Sequence, residues 1–309
     1  MALPSLGCSD VSSLVGRYKM KKLFPWWGKV IIKLLIGLIP IPYEKIRTLV
    51  TGLRGGMESP EYAKSIFHKF SQQPSFQSDK LQGGTLLELG PGGSLLTGFF
   101  AKAQGFRKCI LIDVGNFAIP DKKIYASMAY LLPPPDQKAF ETKLAEGAPI
   151  LEALEVIEIH YYTSGIESFK KIPDNSIDFS FSNAVLEHVK KNHFKELLSA
   201  LYRVHKRGSV SAHQVDYKDH LGGSLNNLRF SQKIWESKYF ANDGFYTNRL
   251  RHSQIIGYAK DTGFDVVQEE LSVWDVLPLN PISLATEFRI LDERDLRTNG
   301  VLMSLQKPI

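Results

Sequence analysis

The chain is poor in cysteine, and it lacks an apolar run that could cross a bilayer. Cys8 and Cys109 are the only two cysteines in 309 residues, so no disulfide framework holds the fold and a reducing, cytoplasmic setting is expected. Cys109 falls inside an apolar run that reads as a buried strand. The apolar stretch Val30–Ile39 contains a lysine and stops at Pro40, whereas a membrane span needs about 20 such residues. Met1–Asp10 shows no cleavable signal pattern, there are no internal repeats, and no histidine–cysteine set has strict zinc spacing. The formal net charge of +6 reads as modest and spread along the chain. That is a weak pull toward anionic partners and gives no ground for sequence-specific nucleic-acid binding.

What is present is concentrated in Gly84–Gly105, GTLLELGPGGSLLTGFFAKAQG. Thr85–Leu89 is a short apolar run bounded by glycine, as a buried parallel strand requires. Gly90, Gly92 and Gly93 form a turn. Ser94–Ala103 then carries apolar residues at helical spacing until Gly105 stops it. Strand, glycine turn and helix open a doubly wound α/β sheet, which binds ligands at the carboxyl ends of its strands.

A dinucleotide fingerprint would place its third glycine at Leu95, which fits poorly. The run Glu88-Leu89-Gly90-Pro91-Gly92-Gly93-Ser94 instead resembles the acidic-x-G-x-G-x-G pattern of class I S-adenosylmethionine methyltransferases, with Ser94 at the last glycine. An acid there favours a ligand carrying an ammonium and a sulfonium and repels a pyrophosphate. Asp113 ends the next apolar run, 25 residues beyond Glu88, where a carboxylate can accept both ribose hydroxyls.

The resemblance extends from about Met57 to the C-terminus. Ile172–Val189, IPDNSIDFSFSNAVLEHV, is similar to the fourth-strand region of that family, and Leu201–Gly208 is similar to its helix-to-strand turn. The segments SGIESF, HQVDYKDHLGG, NNLRFS and FYTNRLR are similar to those of bacterial methyltransferases of natural-product and polysaccharide pathways, many of them O-methyltransferases. The resemblance implies a Rossmann-like, doubly wound, seven-stranded sheet with its last strand antiparallel and at the edge. It also implies S-adenosyl-L-methionine as cofactor. The cofactor set is then Glu88, Gly90, Pro91, Gly92, Asp113 and Val114, with Ser164, Gly165 and Ile166 at the adenine and Asn183 at the methionine end.

Around this core, residues 1–80 read as an N-terminal helical cap and 81–309 as the methyltransferase core, with an inserted flap near 221–250. Tyr43–Val50 and Ser59–Phe70 read as amphipathic helices; the resemblance implies that helices before the first strand close over the cofactor, with Met57 and Tyr62 as candidate neighbours. Residues 17–39 interleave lysines with Phe24, Trp26 and Trp27. Core packing, a lid over an apolar substrate and a peripheral membrane contact all suit that pattern.

The strand expected at Ser209–His213 would put His213 at an active strand tip. His213 is therefore the expected general base, with Asp216 orienting it and His188 as a further candidate facing the pocket. A divalent metal on His213, Asp216, Asp219 or His220 is the rival reading of the same run. Asp219, His220, Tyr246, Asn248 and Arg249 are candidate substrate contacts; Arg249 equally suits a tie between insert and core. The expected acceptor is a hydroxyl on a bulky natural product, small or carrier-bound, with a sugar or lipid-linked glycan as alternative. From other classes, a nicotinamide oxidoreductase and a non-catalytic membrane-associated binding protein stay open.

Overall fold

The computed structural model describes residues 25–28, 30, 31, 58–241 and 246–309. The expected helix Tyr43–Val50 and Met57 lie outside these. Seven strands form one sheet: β1 (Thr85–Leu89), β2 (Lys108–Ile112), β3 (Ile159–Tyr162), β4 (Ile177–Asn183), β5 (His205–Asp216), β6 (Asp265–Val273) and β7 (Thr298–Gln306). Their order is β3-β2-β1-β4-β5-β7-β6. β1 to β5 are parallel, and β7 runs antiparallel to both β5 and β6. This is the Rossmann-like methyltransferase fold. One detail differs from expectation: β7 lies inside the sheet and β6 is the edge. The alternating apolar residues of β7 bury because it has a strand on each side, while β6 is largely exposed.

Five α-helices of seven residues or more are described: α1 (Pro60–Ser71), α2 (Thr97–Ala103), α3 (Pro134–Ala145), α4 (Lys191–Val204) and α5 (His252–Thr262). Ser59 caps α1 by accepting from the Tyr62 N–H at 3.1 Å, and Pro60 fills the first helical position. α1 and α2 cover one face of the sheet, where Phe70 stacks on Phe181 of β4 with ring centroids 4.8 Å apart. α4 and α5 cover the other through Phe194, Leu198, Ile255 and Ala259.

Two boundaries moved for local reasons. α2 starts at Thr97, not Ser94, because the Ser94 hydroxyl accepts from the Leu96 N–H and holds the preceding residues in a turn. The run Leu154–Tyr162 reads in sequence as the third strand, but Leu154 belongs to a short helix, Ile150–Glu155, and β3 begins only at Ile159. Between β5 and α5 the insert forms the turns Asn226–Arg229 and Gln232–Trp235.

Candidate active site

β1 delivers Glu88 and the glycine turn to the carboxyl edge of the sheet. Gly90 has φ +68°, and a Cβ there would sit 2.4 Å from a methyl of Val185, so no side chain fits. The Gly92 N–H donates to Asp113 Oδ2 at 3.1 Å, and the Val114 N–H donates to Oδ1 at 2.7 Å. The Gly165 N–H donates to the Asp113 carbonyl at 2.9 Å. One aspartate thus ties the loops after β1, β2 and β3 together at the carboxyl edge of the sheet. Beside it, Val114 is exposed and in contact distance of Gly165, an apolar surface suited to a purine face.

Glu88 is buried and accepts from the Thr97 hydroxyl. Burial pushes its carboxyl up to about 8, with the charge of Asp113 adding to the rise and the Thr97 bond opposing it. A cationic ligand would draw this group back to its ionised form. Residues of this charge and shape fit S-adenosylmethionine, whose chemical contribution is an electrophilic methyl on a sulfonium.

At the tip of β4, Asn183 Oδ1 accepts from Lys69 Nζ at 2.8 Å; Lys69 also donates to Gln214 of β5. Tyr62 interacts with Asn183 as well and senses the charge of Glu88. α1 is therefore tied to the carboxyl ends of β4 and β5 through Tyr62 and Lys69. Lys69 carried no signal in the sequence, being one lysine on the polar side of an amphipathic helix. Ala184 follows Asn183 at φ +54°, a left-handed conformation that costs a residue with a Cβ about 1 kcal/mol. A hydrogen bond from its N–H to the Gln214 carbonyl holds it there.

His213 is not at a strand tip. β5 runs on to Asp216 because β7 pairs with it residue by residue as far as Gly300. His213 is 0% exposed, sharing hydrogen bonds with Ser182 through Nδ1 and with Ser211 through Nε2, both at 2.8 Å. Burial depresses its pKa to about 3. Ser211 in turn bonds Ser180, which bonds His205. The expected base is one link in a polar chain sealed between β4 and β5. Asp216, three residues on, projects from the opposite side of the strand and cannot orient it.

Other expected substrate contacts are also structural. The Asp219 carboxylate accepts from the N–H groups of Leu221, Gly222, Gly223 and Asn226. It folds the loop after β5, and among the described residues the rival metal set across His213–His220 is not brought together. Arg249 is buried over Trp235 and Phe288 and donates to the Asn227 and Phe230 carbonyls. The Tyr246 hydroxyl donates to Glu236 at 2.9 Å. Asn248 donates from Nδ2 to the carbonyls of Leu186 at 2.7 Å and Val189 at 2.9 Å.

Those two carbonyls flank His188, which the structure brings to the active edge. Its Nδ1 lies 3.2 Å from the Tyr246 carbonyl, which can only accept. The proton therefore sits on Nδ1, and Nε2 keeps its lone pair. The ring is open at its rim and packs 4.9 Å from His220, also exposed. Surrounding protein, then the neighbouring His220, lower the pKa of His188, while Asp216 opposes them. Below it, Glu187 is buried and accepts from the Asp216 N–H at 3.3 Å; burial pushes its carboxyl up to about 8. A cavity of about 350 Å³ lies at the ends of β5, β6 and β7, lined by Lys69, Gln214, Asp216, Lys218, Glu270 and Asn299.

Residues 135–212, from α3 into β5, match the family model described as "Methyltransferase domain". No curated protein matches the sequence. Among solved structures, a SAM dependent methyltransferase from Archaeoglobus fulgidus is 13% identical with a TM-score of 0.44, over 84% of this chain and 98% of that one. A SAM-dependent methyltransferase from Methanosarcina mazei is 14% identical with a TM-score of 0.43, over 75% and 96%. With TM-scores below 0.5, these likenesses carry no part of the functional argument. Residues 135–212 are thus similar to a methyltransferase domain, and the sheet order and acidic glycine cradle fit S-adenosyl-L-methionine as cofactor.

Proposed function

We propose that the chain is an O-methyltransferase in which His188 removes the proton of the acceptor hydroxyl. The observation that carries this reading is the tautomer imposed on His188: a backbone carbonyl takes its Nδ1 proton, so Nε2 is a base at neutral pH. An alcohol ionises far above pH 7, so a positioned base adds about 10²–10⁴-fold to the rate. The remaining work is positional. Glu88 and Asp113 hold the cofactor, Asn183 and Lys69 border its methionine end, and the acceptor oxygen is held in line with the methyl while water is kept out.

The cofactor contacts of Pro91, Ser164 and Ile166 belong to the same proposal, as does His220 beside the acceptor. The acceptor class is a hydroxyl on a bulky natural product. A sugar hydroxyl is the second reading, favoured by the mix of amide, carboxylate and ammonium groups lining the 350 Å³ cavity, which suits a polyol. A nicotinamide oxidoreductase would need room for a pyrophosphate where buried Glu88 and Leu95 lie. The test is a pair of titrations with S-adenosylhomocysteine and NAD, followed by methyl transfer from labelled cofactor to a panel of phenol, sugar and amine acceptors. Tight S-adenosylhomocysteine binding with label on hydroxyls supports the proposal; label on amines only, or binding of NAD alone, overturns it.

A further inference from the structure

We infer that the insert and the helical turn at Trp26–Ile31 form one face that docks on an anionic lipid surface. Trp26 and Val30 are the inner side of that turn. Trp26 packs edge-on against Phe230 with centroids 6.1 Å apart, and Val30 is buried in a cluster with Leu221, Trp235, Phe240 and Tyr246. Their neighbours point the other way. Trp27 is 54% exposed and Ile31 50%, and on the insert Ile234 is 48% and Tyr239 58% exposed. Each is adjacent in sequence to a residue of the shared cluster, so the two elements, seated on each other, present four large apolar side chains outward together. Scattered exposed apolar residues need no explanation; four around one packed cluster, two of them Trp and Tyr, have the composition of a bilayer interface.

Charge selects the occupant. Lys233 and Lys238 are exposed between these residues, and Lys238 Nζ lies 5.1 Å over the Tyr239 ring. Glu236, the one acid between Gln232 and Phe240, is turned inward onto Tyr246. Between Asp10 and Glu44 the sequence has six basic residues and no acid, which equals the formal net charge of the whole chain, +6. The charge is thus not spread out as the composition suggests: outside this stretch Lys and Arg balance Asp and Glu. A basic, aromatic face is attracted to anionic headgroups, and its apolar tips gain by entering the acyl boundary. Among the described residues no helix is long and apolar enough to cross a membrane, so the contact is peripheral.

The test is co-sedimentation of the full chain with vesicles of phosphatidylcholine alone or with a third of phosphatidylglycerol, at low and high salt. Binding to the anionic vesicles, at least about tenfold weaker on the neutral ones or in high salt, is expected. Two variants, Trp27→Ser with Ile31→Ser and Ile234→Ser with Tyr239→Ser, should each weaken it about tenfold or more without shifting Tm, since all four side chains are exposed. The proposal is overturned if the chain stays in the supernatant. It is equally overturned if both double variants bind as the parent does, or if the parent proves to be a dimer in solution that they dissociate. None of these outcomes depends on methyl transfer.

Discussion

The two ends of the active edge are built by opposite strategies. At β1 and β2 the ligand-facing groups come from backbone turns within a short stretch: Gly90, Gly92 and Asp113 interlock through main-chain N–H donors. At β4 and β5 the facing group, His188, sits on a brief 3₁₀ turn whose shape is dictated from about sixty residues away by Tyr246 and Asn248. The first half is a local cradle that only strand pairing must complete. The second exists only once the insert has folded against it. The difference teaches that cofactor binding and acceptor chemistry can fail independently.

The sharpest way to break this comparison is His188→Ala. Turnover should fall about 10²–10⁴-fold, while calorimetric affinity for S-adenosylhomocysteine changes less than twofold. Equal loss of both would merge the two halves. Asp113→Ala should do the reverse, weakening S-adenosylhomocysteine by about 10–100-fold through lost hydrogen bonds to a charged acceptor, with turnover at saturating cofactor largely kept.

His213→Ala separates chemistry from architecture. It leaves the Ser182 and Ser211 hydroxyls without their imidazole partner inside the sheet, a cost of about 2–4 kcal/mol in urea unfolding. Turnover per folded molecule should stay within a few-fold. A collapse in turnover at unchanged stability would return the base to His213. Asn248→Ala should lower turnover about tenfold, with the pH–rate profile displaced because the His188 turn loosens. If only Tm moves, Asn248 holds the fold and not the histidine.

A further effect concerns protons. Glu88 titrates at about 8 in the cofactor-free chain, far above an exposed carboxyl. A bound ammonium favours the carboxylate, so binding releases a proton and affinity should rise from pH 6 to pH 8 by up to about tenfold per pH unit. For stability the sign is opposite. The raised pKa means the folded state binds more protons than the unfolded one between about 4.5 and 8. The contribution is therefore full at acid pH and lost as pH rises through 8. Glu88→Gln should flatten both profiles; unchanged profiles would show that Glu88 is not the titrating group.

Much of the fold was legible because its signals are short-range. The run from Gly84 to Gly105 carries strand, turn and helix in consecutive residues. The offset to Asp113 follows from one βα unit. The broken periodicity from Leu221 on matches the short turns found between β5 and α5, whereas Arg249, expected as a substrate contact, is buried on the carbonyls of Asn227 and Phe230.

What the sequence by itself determined is therefore the seven-stranded sheet and the strand, turn and helix of Gly84–Gly105, since neighbouring residues set each of them. Tertiary structure alone decided which side chains meet at the carboxyl ends of β4 and β5. The end of β5 depends on how far β7 pairs with it, and that pairing moved His213 from an expected tip to a buried chain of serines. Whether His188, Lys69 and Asn248 meet at one edge depends on elements far apart in sequence. Lys69 reads locally as an ordinary polar residue of its helix, and nothing near His188 or Asn248 in sequence says which partner each will meet.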